Sequence, residues 1–395
     1  MNIISKHLNR VLPRNWGAVI KDPRRCCRRW RFSTVMRTVV EALAGGCGNL
    51  RELEFLTANR GERLPDTTAW DLLVQLQPKT LNQVIAQGVK QASRSHELDH
   101  AELPVRLTVI DGKSILIRKY RVNKYSKNRS QRGCKKYVTT ALRAFHASSS
   151  LKLLMGQQLV RRRTNESGTF ASFLDELSEL YGRTGLLEVL SLDAGFTSKK
   201  NAQCVLAKGL HYIMALKDER VRKATKVAKE ILSAKKPVCT EEEVVNGQKI
   251  TRSLYRCSVP ELNGWEGARE LWRVAKEVVV LRTGKTQQED RYYISSLPPS
   301  KLTNKQVLKT IRLHWSIENN ANWVMDTAWK EDNSPWCAKA AEVVSLLRII
   351  AFNAVSRLKY RRFRRARLYN YTWKQVIEIV RTTLFPAKYF APVLA

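Results

Sequence analysis

Asp111 and Asp193 each follow a short apolar run, Leu107–Ile110 and Leu187–Leu192, that reads as a β-strand. A strand end is where a rigid scaffold can hold a carboxylate at a fixed position. Two such aspartates on neighbouring strands can share a divalent cation, and Mg²⁺ suits them because it takes oxygen ligands and keeps several waters. Taken singly, an aspartate after a strand is more often a turn or cap residue. Further along, His314, Glu318, Asn322 and Asp326 recur at i+4 and so share one face of a helix, with Ile317 and Val324 off that face. Such a stripe is commonly just a wet helix face. This one lacks the usual Lys/Glu mixture and carries His, amide and acid groups with Arg312 nearby, so the functional and the solvated readings both stand.

The elements that must position these residues follow from periodicity. Residues 1–95 read as a helical region: Val35–Leu43, Leu50–Leu56, Thr68–Leu76 and Thr80–Ala92 carry helical apolar spacing, broken by Gly45-Gly46 and by the Pro65-Asp66-Thr67 turn. Ser93–Leu103 reads as a polar linker. From 104 to 235 the texture is mixed. Leu107–Ile110, Tyr137–His146 and Leu151–Val160 read as strands, with a basic loop Arg118–Lys136 between the first two. Phe170–Tyr181 reads as a helix, Leu187–Leu192 as a buried strand, Ser198–Lys208 as a helix and His211–Leu216 as a strand. This is the strand–helix order of an RNase H-like α/β core. Residues 236–298 read as β-rich (Ile250–Tyr255, Trp272–Leu281, Arg291–Ile294). Residues 299–358 read as helical, with one long helix Leu302–Lys330 and another, Ala340–Lys359. Residues 359–395 form a basic C-terminal tail.

Composition narrows the partner. The chain has 395 residues with 44% hydrophobic residues, enough for a real core, and a formal net charge of +35 that calls for a polyanion. Basic clusters at Arg24–Arg31, Arg118–Lys136, Arg161–Arg163 and Lys359–Arg367 are interleaved with Trp30, Phe32, Tyr120, Tyr125, Tyr360 and Phe363. That pattern suits nucleic acid, although any single cluster is equally a solvated surface. No apolar run of about 18 residues spans a membrane. The first residues lack a signal-peptide core, and the eight cysteines form no CxxC pair, so a reduced, cytoplasmic protein is expected.

Several strings together resemble a known family: VIDGKS (109–114), GQQLV (156–160) with TNE (164–166), LDAGFTSKKNA (192–202), YIMALKDE (212–219), RYYISSLP (291–298) and RLHWSIENNANWVMDTAWKED (312–332). The chain resembles bacterial insertion-sequence DDE transposases, most closely the H-repeat-associated (ISAs-type) group. The resemblance implies an RNase H-like core with a β-rich insertion between the second Asp and the Glu. It puts Asp111, Asp193 and Glu318 on the three catalytic, metal-binding positions, with two Mg²⁺ ions (Mn²⁺ substituting). It implies a bacterial, nucleoid-associated protein acting as a homodimer or larger assembly on double-stranded DNA: element terminal inverted repeats and target DNA. Where the family usually has His, this chain has Asn322. Candidate DNA contacts are Lys113, Lys217, Arg312, His314, Asn322, Arg28, Arg29, Arg121, Lys124, Arg361, Arg362 and Arg364; Lys113, Lys217, Arg312 and His314 are each also readable as a surface ion-pair member, and Asn322 equally as a group that orients Glu318. Trp265 and Trp272 suit the core better than base stacking. A metal-dependent endonuclease that does not join strands, or an inactive DNA-binding descendant, remains an alternative.

Overall fold

The computed structural model describes residues 3–24, 29–99, 103–117, 127–131, 134–161, 163–259, 262, 264–333, 336–337, 339–363 and 370–386. The chain opens with helices α1 (Ile3–Val11), α2 (Phe32–Ala44), α3 (Leu50–Arg60), α4 (Asp66–Leu73) and α5 (Pro78–Arg94). Their limits follow local chemistry. The Asn49 side chain accepts the Glu52 N–H at the start of α3, and Gly61 closes that helix at φ 99°, a left-handed conformation open to glycine. Helix α1 was not visible in the periodicity. It buries Ile4, Leu8 and Val11, and the His7 ring nitrogen Nε2 lies 3.0 Å from the Ala354 carbonyl oxygen.

The centre is a mixed α/β sheet. Strands β1 (Leu107–Ile117), β2 (Lys127–Gln131), β3 (Cys134–His146) and β4 (Leu153–Leu159) come first, followed by α6 (Glu166–Tyr181), β5 (Val189–Leu192), α7 (Lys199–Leu206), β6 (His211–Leu216) and α8 (Asp218–Ser233). Strands β7 (Cys239–Val245), β8 (Gln248–Ser258), β9 (Glu270–Val280) and β10 (Thr286–Ser295) complete it. The order is β2-β3-β1-β5-β6-β10-β9-β8-β7, with β4 on the outer edge of β3 beyond β2. Strand β5 is parallel to both β1 and β6, and its four residues are buried, as expected of a strand covered on both faces. The β-rich stretch therefore extends the same sheet, because β10 pairs with β6 through Tyr292↔Leu216 to Ser295↔Ile213.

Three expectations are corrected. The first strand does not stop at Asp111 but runs on to Ile117, because β3 pairs with it continuously from Thr108↔His146 to Ile117↔Tyr137. Part of the expected basic loop is strand, since Lys127–Gln131 pairs with β3. The single long helix over 302–330 is divided into α9 (Asn304–His314), a π-helical turn (Glu318–Asn322) and α10 (Trp323–Thr327).

Helix α11 (Ala341–Arg357) is buried almost all round and packs on α2, α5 and β4. Arg357 makes a buried ion pair with Glu97 at 2.8 Å. Within the stretch expected as a tail, α12 (Trp373–Leu384) buries Val376, Ile377, Val380 and Leu384. Trp373 stacks on Phe352 of α11 with ring centroids 5.6 Å apart. One apolar core thus runs from the N-terminal helices through the sheet to α12.

Candidate active site

The parallel register of β1 and β5 ends at Ile110↔Leu192. Asp111 and Asp193 are the next residues on each strand, so the two carboxylates emerge side by side where β5 stops. Asp193 begins a short 3₁₀ turn without capping it through its side chain, which removes the cap reading for this residue. Asp111 Oδ1 accepts the adjacent Gly112 N–H, at 2.8 Å.

The helical stripe faces this point. The His314 Nδ1 atom lies 2.9 Å from the Ser191 hydroxyl on β5. Burial pulls His314 down to about 4, against the pull of Asp193, so its ring is neutral near pH 7. Glu318 is exposed and opens the π turn. A π turn adds a residue to the helical circuit and is frequent at functional sites. Asn322, the last residue of the turn, is buried, and Trp323 just beyond it is turned outward, 60% exposed. The Asn322 amide nitrogen approaches Asp111 Oδ2 at 3.5 Å, the outer limit of a hydrogen bond. Asp326 takes both short contacts of Lys113, at 2.6 Å.

Behind Asn322 lies a buried network. Arg143 on β3, with no exposed surface, donates to Glu331 at 2.8 and 2.9 Å, to Gln157 at 2.8 Å, to Ser345 at 3.0 Å and to Asn322 Oδ1 at 3.1 Å. Arginine has no acceptor, so Asn322 must turn its oxygen to Arg143, which leaves its NH₂ facing Asp111. Neither Arg143 nor Glu331 was picked out from the sequence, except that Glu331 sits in the motif string ending at 332. The β1–β3 register that sets Arg143 opposite Asp111 is invisible to local patterning.

The electrostatics are lopsided. Burial pushes the Asp111 carboxyl up to about 7, Glu318, Asp193 and Glu166 push it the same way, and the Gly112 hydrogen bond opposes them. Among the described residues no ion pair neutralises Asp111, Asp193 or Glu318. Nor do three acidic, His or Cys side chains there stand at the spacing of a closed metal cage. The donor chemistry nevertheless fits Mg²⁺ or Mn²⁺, hard cations held by one or two carboxylates, waters and substrate phosphate.

The remaining candidates divide. Lys113 is buried against Asp326 and Asp332. Arg312 is paired with Glu243 and Glu241 of β7, at 3.2 and 3.8 Å. Lys217 and Arg29 are exposed. Arg361 and Arg362 lie in a π-helical turn, Leu358–Phe363, that follows α11. Arg28, Arg121, Lys124 and Arg364 fall outside the described residues. Trp265 and Trp272 are core residues, 4% and 0% exposed.

A mixed sheet that sets Asp111, within β1, beside Asp193, just past the end of the parallel β5, in a strongly basic chain, defines an α/β protein with a cluster of carboxylates at that point. The chain belongs to the Transposase DDE domain family, whose model matches residues 104–354. It is 25% identical over 270 residues to the putative protein YbfL of Escherichia coli K12, covering 65% of this chain and 66% of that one. It is also 25% identical over 260 residues to the H repeat-associated putative transposase YhhI of the same strain, covering 62% and 63%. The chain thus spans just under two thirds of the length of these curated relatives. A cryo-EM structure of a piggyBac transposase synaptic complex with hairpin DNA overlaps it with a TM-score of 0.48 at 10% identity, covering 97% of this chain and 80% of that one.

Proposed function

We propose that this protein is a DNA transposase with an RNase H-like core, in which Asp111, Asp193 and Glu318 hold two divalent cations. The observation that carries this reading is that Asp111 on β1, Asp193 at the end of β5 and Glu318 at the start of the π turn lie close enough to act on one another's charge, with no ion pair neutralising them among the described residues. Membership of the Transposase DDE domain family supports the same reading. Asp111, Asp193 and Glu318 would be the carboxylates that hold the ions. The bound ions would activate a water or a DNA 3′-hydroxyl and stabilise the leaving 3′ oxygen. The chain's own residues do the rest. Asn322, oriented by Arg143, fixes Asp111 Oδ2. Neutral His314 packs beside Asp193 without adding a positive charge to compete with the cations. The Arg143–Glu331 pair ties β3 to the segment after the π turn, so the three carboxylates move as one unit.

Double-stranded DNA is the substrate this reading requires: the element's terminal inverted repeats and target DNA, bound by a homodimer or larger assembly. The net charge of +35 supports it, and binding should weaken steeply with salt. Asp193→Ala tests the site: Mg²⁺-dependent cleavage of the element's ends should vanish while DNA binding stays nearly intact, and full cleavage by that variant would falsify the assignment. Supplying pre-cleaved ends then separates a transposase, which joins them to target DNA, from an endonuclease, which does not.

A further inference from the structure

Four residues share the helical stripe, and three of them are tied to the sheet. His314 meets Ser191 on β5. Asn322 lies between Arg143 on β3 and Asp111 on β1. Asp326 takes the Lys113 ammonium with both oxygens at 2.6 Å, and Asp332 adds a longer contact at 3.3 Å. Lys113 stands two residues past Asp111, so their side chains leave the same face of β1. Glu318, the remaining member of the stripe, is exposed and has no ion pair among the described residues. The anchors thus stand on both sides of it along the helix.

The π turn gives the anchor beyond it a task. The turn is closed by the Trp323 N–H on the Glu318 carbonyl oxygen and adds one residue to the helical circuit. Relaxation to a plain α-helix would rotate everything beyond the turn by about 100° relative to Glu318. That rotation would carry Asp326 off Lys113. Lys113 is nearly buried and Asp326 about a quarter exposed, and an ion pair withdrawn from water in this way is weak evidence for stability; its best-attested use is to fix one arrangement among several. We infer that the Lys113–Asp326 ion pair is a positioning clamp, which pins the π turn to β1 and so sets where Glu318 stands relative to Asp111. This rests on the functional reading above and deepens it: Lys113 and Asp326 act through Glu318 rather than on the DNA.

Mn²⁺ binding to the full chain, followed by titration calorimetry at pH 8, reads the clamp without requiring turnover. The sign of one variant separates position from charge. Lys113→Met removes a positive charge beside the carboxylates, which by charge alone would tighten Mn²⁺ binding. A lost clamp should instead weaken it roughly tenfold to a hundredfold, as the loss of groups that orient metal ligands does, and Lys113→Arg should retain part of the affinity. Asp326→Asn should weaken binding to a similar extent. Asp332→Asn removes the same charge from the outer contact and should stay within a few-fold of the wild type. Tighter or unchanged binding by Lys113→Met overturns the clamp, and so does a variant that unfolds earlier in urea yet binds Mn²⁺ normally when folded. Should Lys113→Met not fold, Asp326→Asn against Asp332→Asn decides: a clear loss at 326 alone supports the clamp, and equal losses overturn it. Asp193→Ala tests the functional reading separately. If it binds Mn²⁺ like the wild type, or the wild type binds none, the three-carboxylate site falls and the clamp with it. If it loses Mn²⁺ while Lys113→Met and Asp326→Asn bind normally, the site stands and only the clamp falls.

Discussion

Two charged centres, one fully buried and one partly open, lie one strand apart and are built on opposite principles. On β3 and the segment after α10, Arg143 and Glu331 are fully buried, mutually paired and hydrogen-bonded to Gln157, Asn322 and Ser345. On β1 and at the end of β5, Asp111 and Asp193 sit with Glu318, and among the described residues no ion pair neutralises these three. Asp111 is directly opposite Arg143 in the strand register, so the nearest cation is at hand and is committed elsewhere, with a neutral amide between. The first centre is the kind that holds a fold in one arrangement. The second is left incomplete by the chain itself, and perturbed, unsatisfied titratable groups concentrate at functional sites.

The largest effect separates the two centres by readout. Asp193→Ala is expected to cut cleavage by about 10³-fold or more, several kcal/mol of lost transition-state stabilisation, with little loss of stability. Glu331→Gln should do the reverse first: it strands Arg143 as a buried unpaired cation and should cost about 3–5 kcal/mol in urea unfolding. If Glu331→Gln melts like the wild type, the Arg143 centre is not structural and the contrast fails.

Between the two centres stands Asn322, and removing it should cost less. Asn322→Ala takes away the amide that links Arg143 to Asp111 and is expected to lower cleavage about tenfold to a hundredfold, in the range of groups that orient metal ligands. Asn322→His tests whether the family's more usual residue serves equally here. A loss in folding rather than in turnover would move Asn322 into the structural centre.

Acid should act with opposite signs on two buried histidines, His7 and His314, and on Asp111. Burial lowers His7 and His314 to about 4, while burial and like charge raise Asp111 to about 7. Between about pH 6.5 and 4 the unfolded chain binds protons at both histidines that the native chain does not, so these two groups withdraw stability as pH falls. Over the same interval the native chain holds a proton on Asp111 that the unfolded chain has lost, which returns stability. The net of these three groups is about one proton, or about 1.4 kcal/mol per pH unit lost on acidification. Without divalent cations, Asp111→Asn should therefore be more stable than wild type at pH 8 by about 1–2 kcal/mol, allowing for its partial exposure. That gain should shrink toward pH 5. A gain that is flat with pH would remove Asp111 as the titrating group.

What the sequence disclosed follows the range of the interactions. The stripe His314, Glu318, Asn322 and Asp326 was readable because i+4 spacing is local, and all four side chains lie along the face toward β1 and β5. The π turn was not readable, because it keeps the same residues and changes only one hydrogen-bond step. Strand β7 was missed because its sequence, Cys-Thr-Glu-Glu-Glu-Val-Val, is rich in a residue disfavoured in strands. It forms at the sheet edge, where Glu242 meets Lys249 and Glu243 meets Arg252 across the hairpin. Arg143 was missed because an arginine in a basic chain looks like surface until β1 and α11 close around it. Lys113 looked like a phosphate ligand, and only its long-range partners Asp326 and Asp332, more than two hundred residues away in the chain, reveal its ion pairs.

The smallest expected effect concerns Arg312, a DNA candidate in the motif string 312–332. Its side chain is about half exposed and reaches Glu243 at 3.2 Å and Glu241 at 3.8 Å. Glu243 is held low first by its hydrogen bond to Arg252, with Arg312 contributing less, so Arg312 is the minor partner of a pair that survives without it. An exposed pair of this kind contributes about 0–1 kcal/mol. Arg312→Ala should accordingly shift urea unfolding by less than about 1 kcal/mol. A residue committed to two glutamates releases few counterions from DNA, so the dependence of DNA affinity on salt should keep its slope in this variant. A slope reduced by about one unit would instead count Arg312 among the phosphate contacts. It would mean that β7 yields Arg312 to DNA on binding, carrying the contrast between committed and uncommitted charge out to the surface.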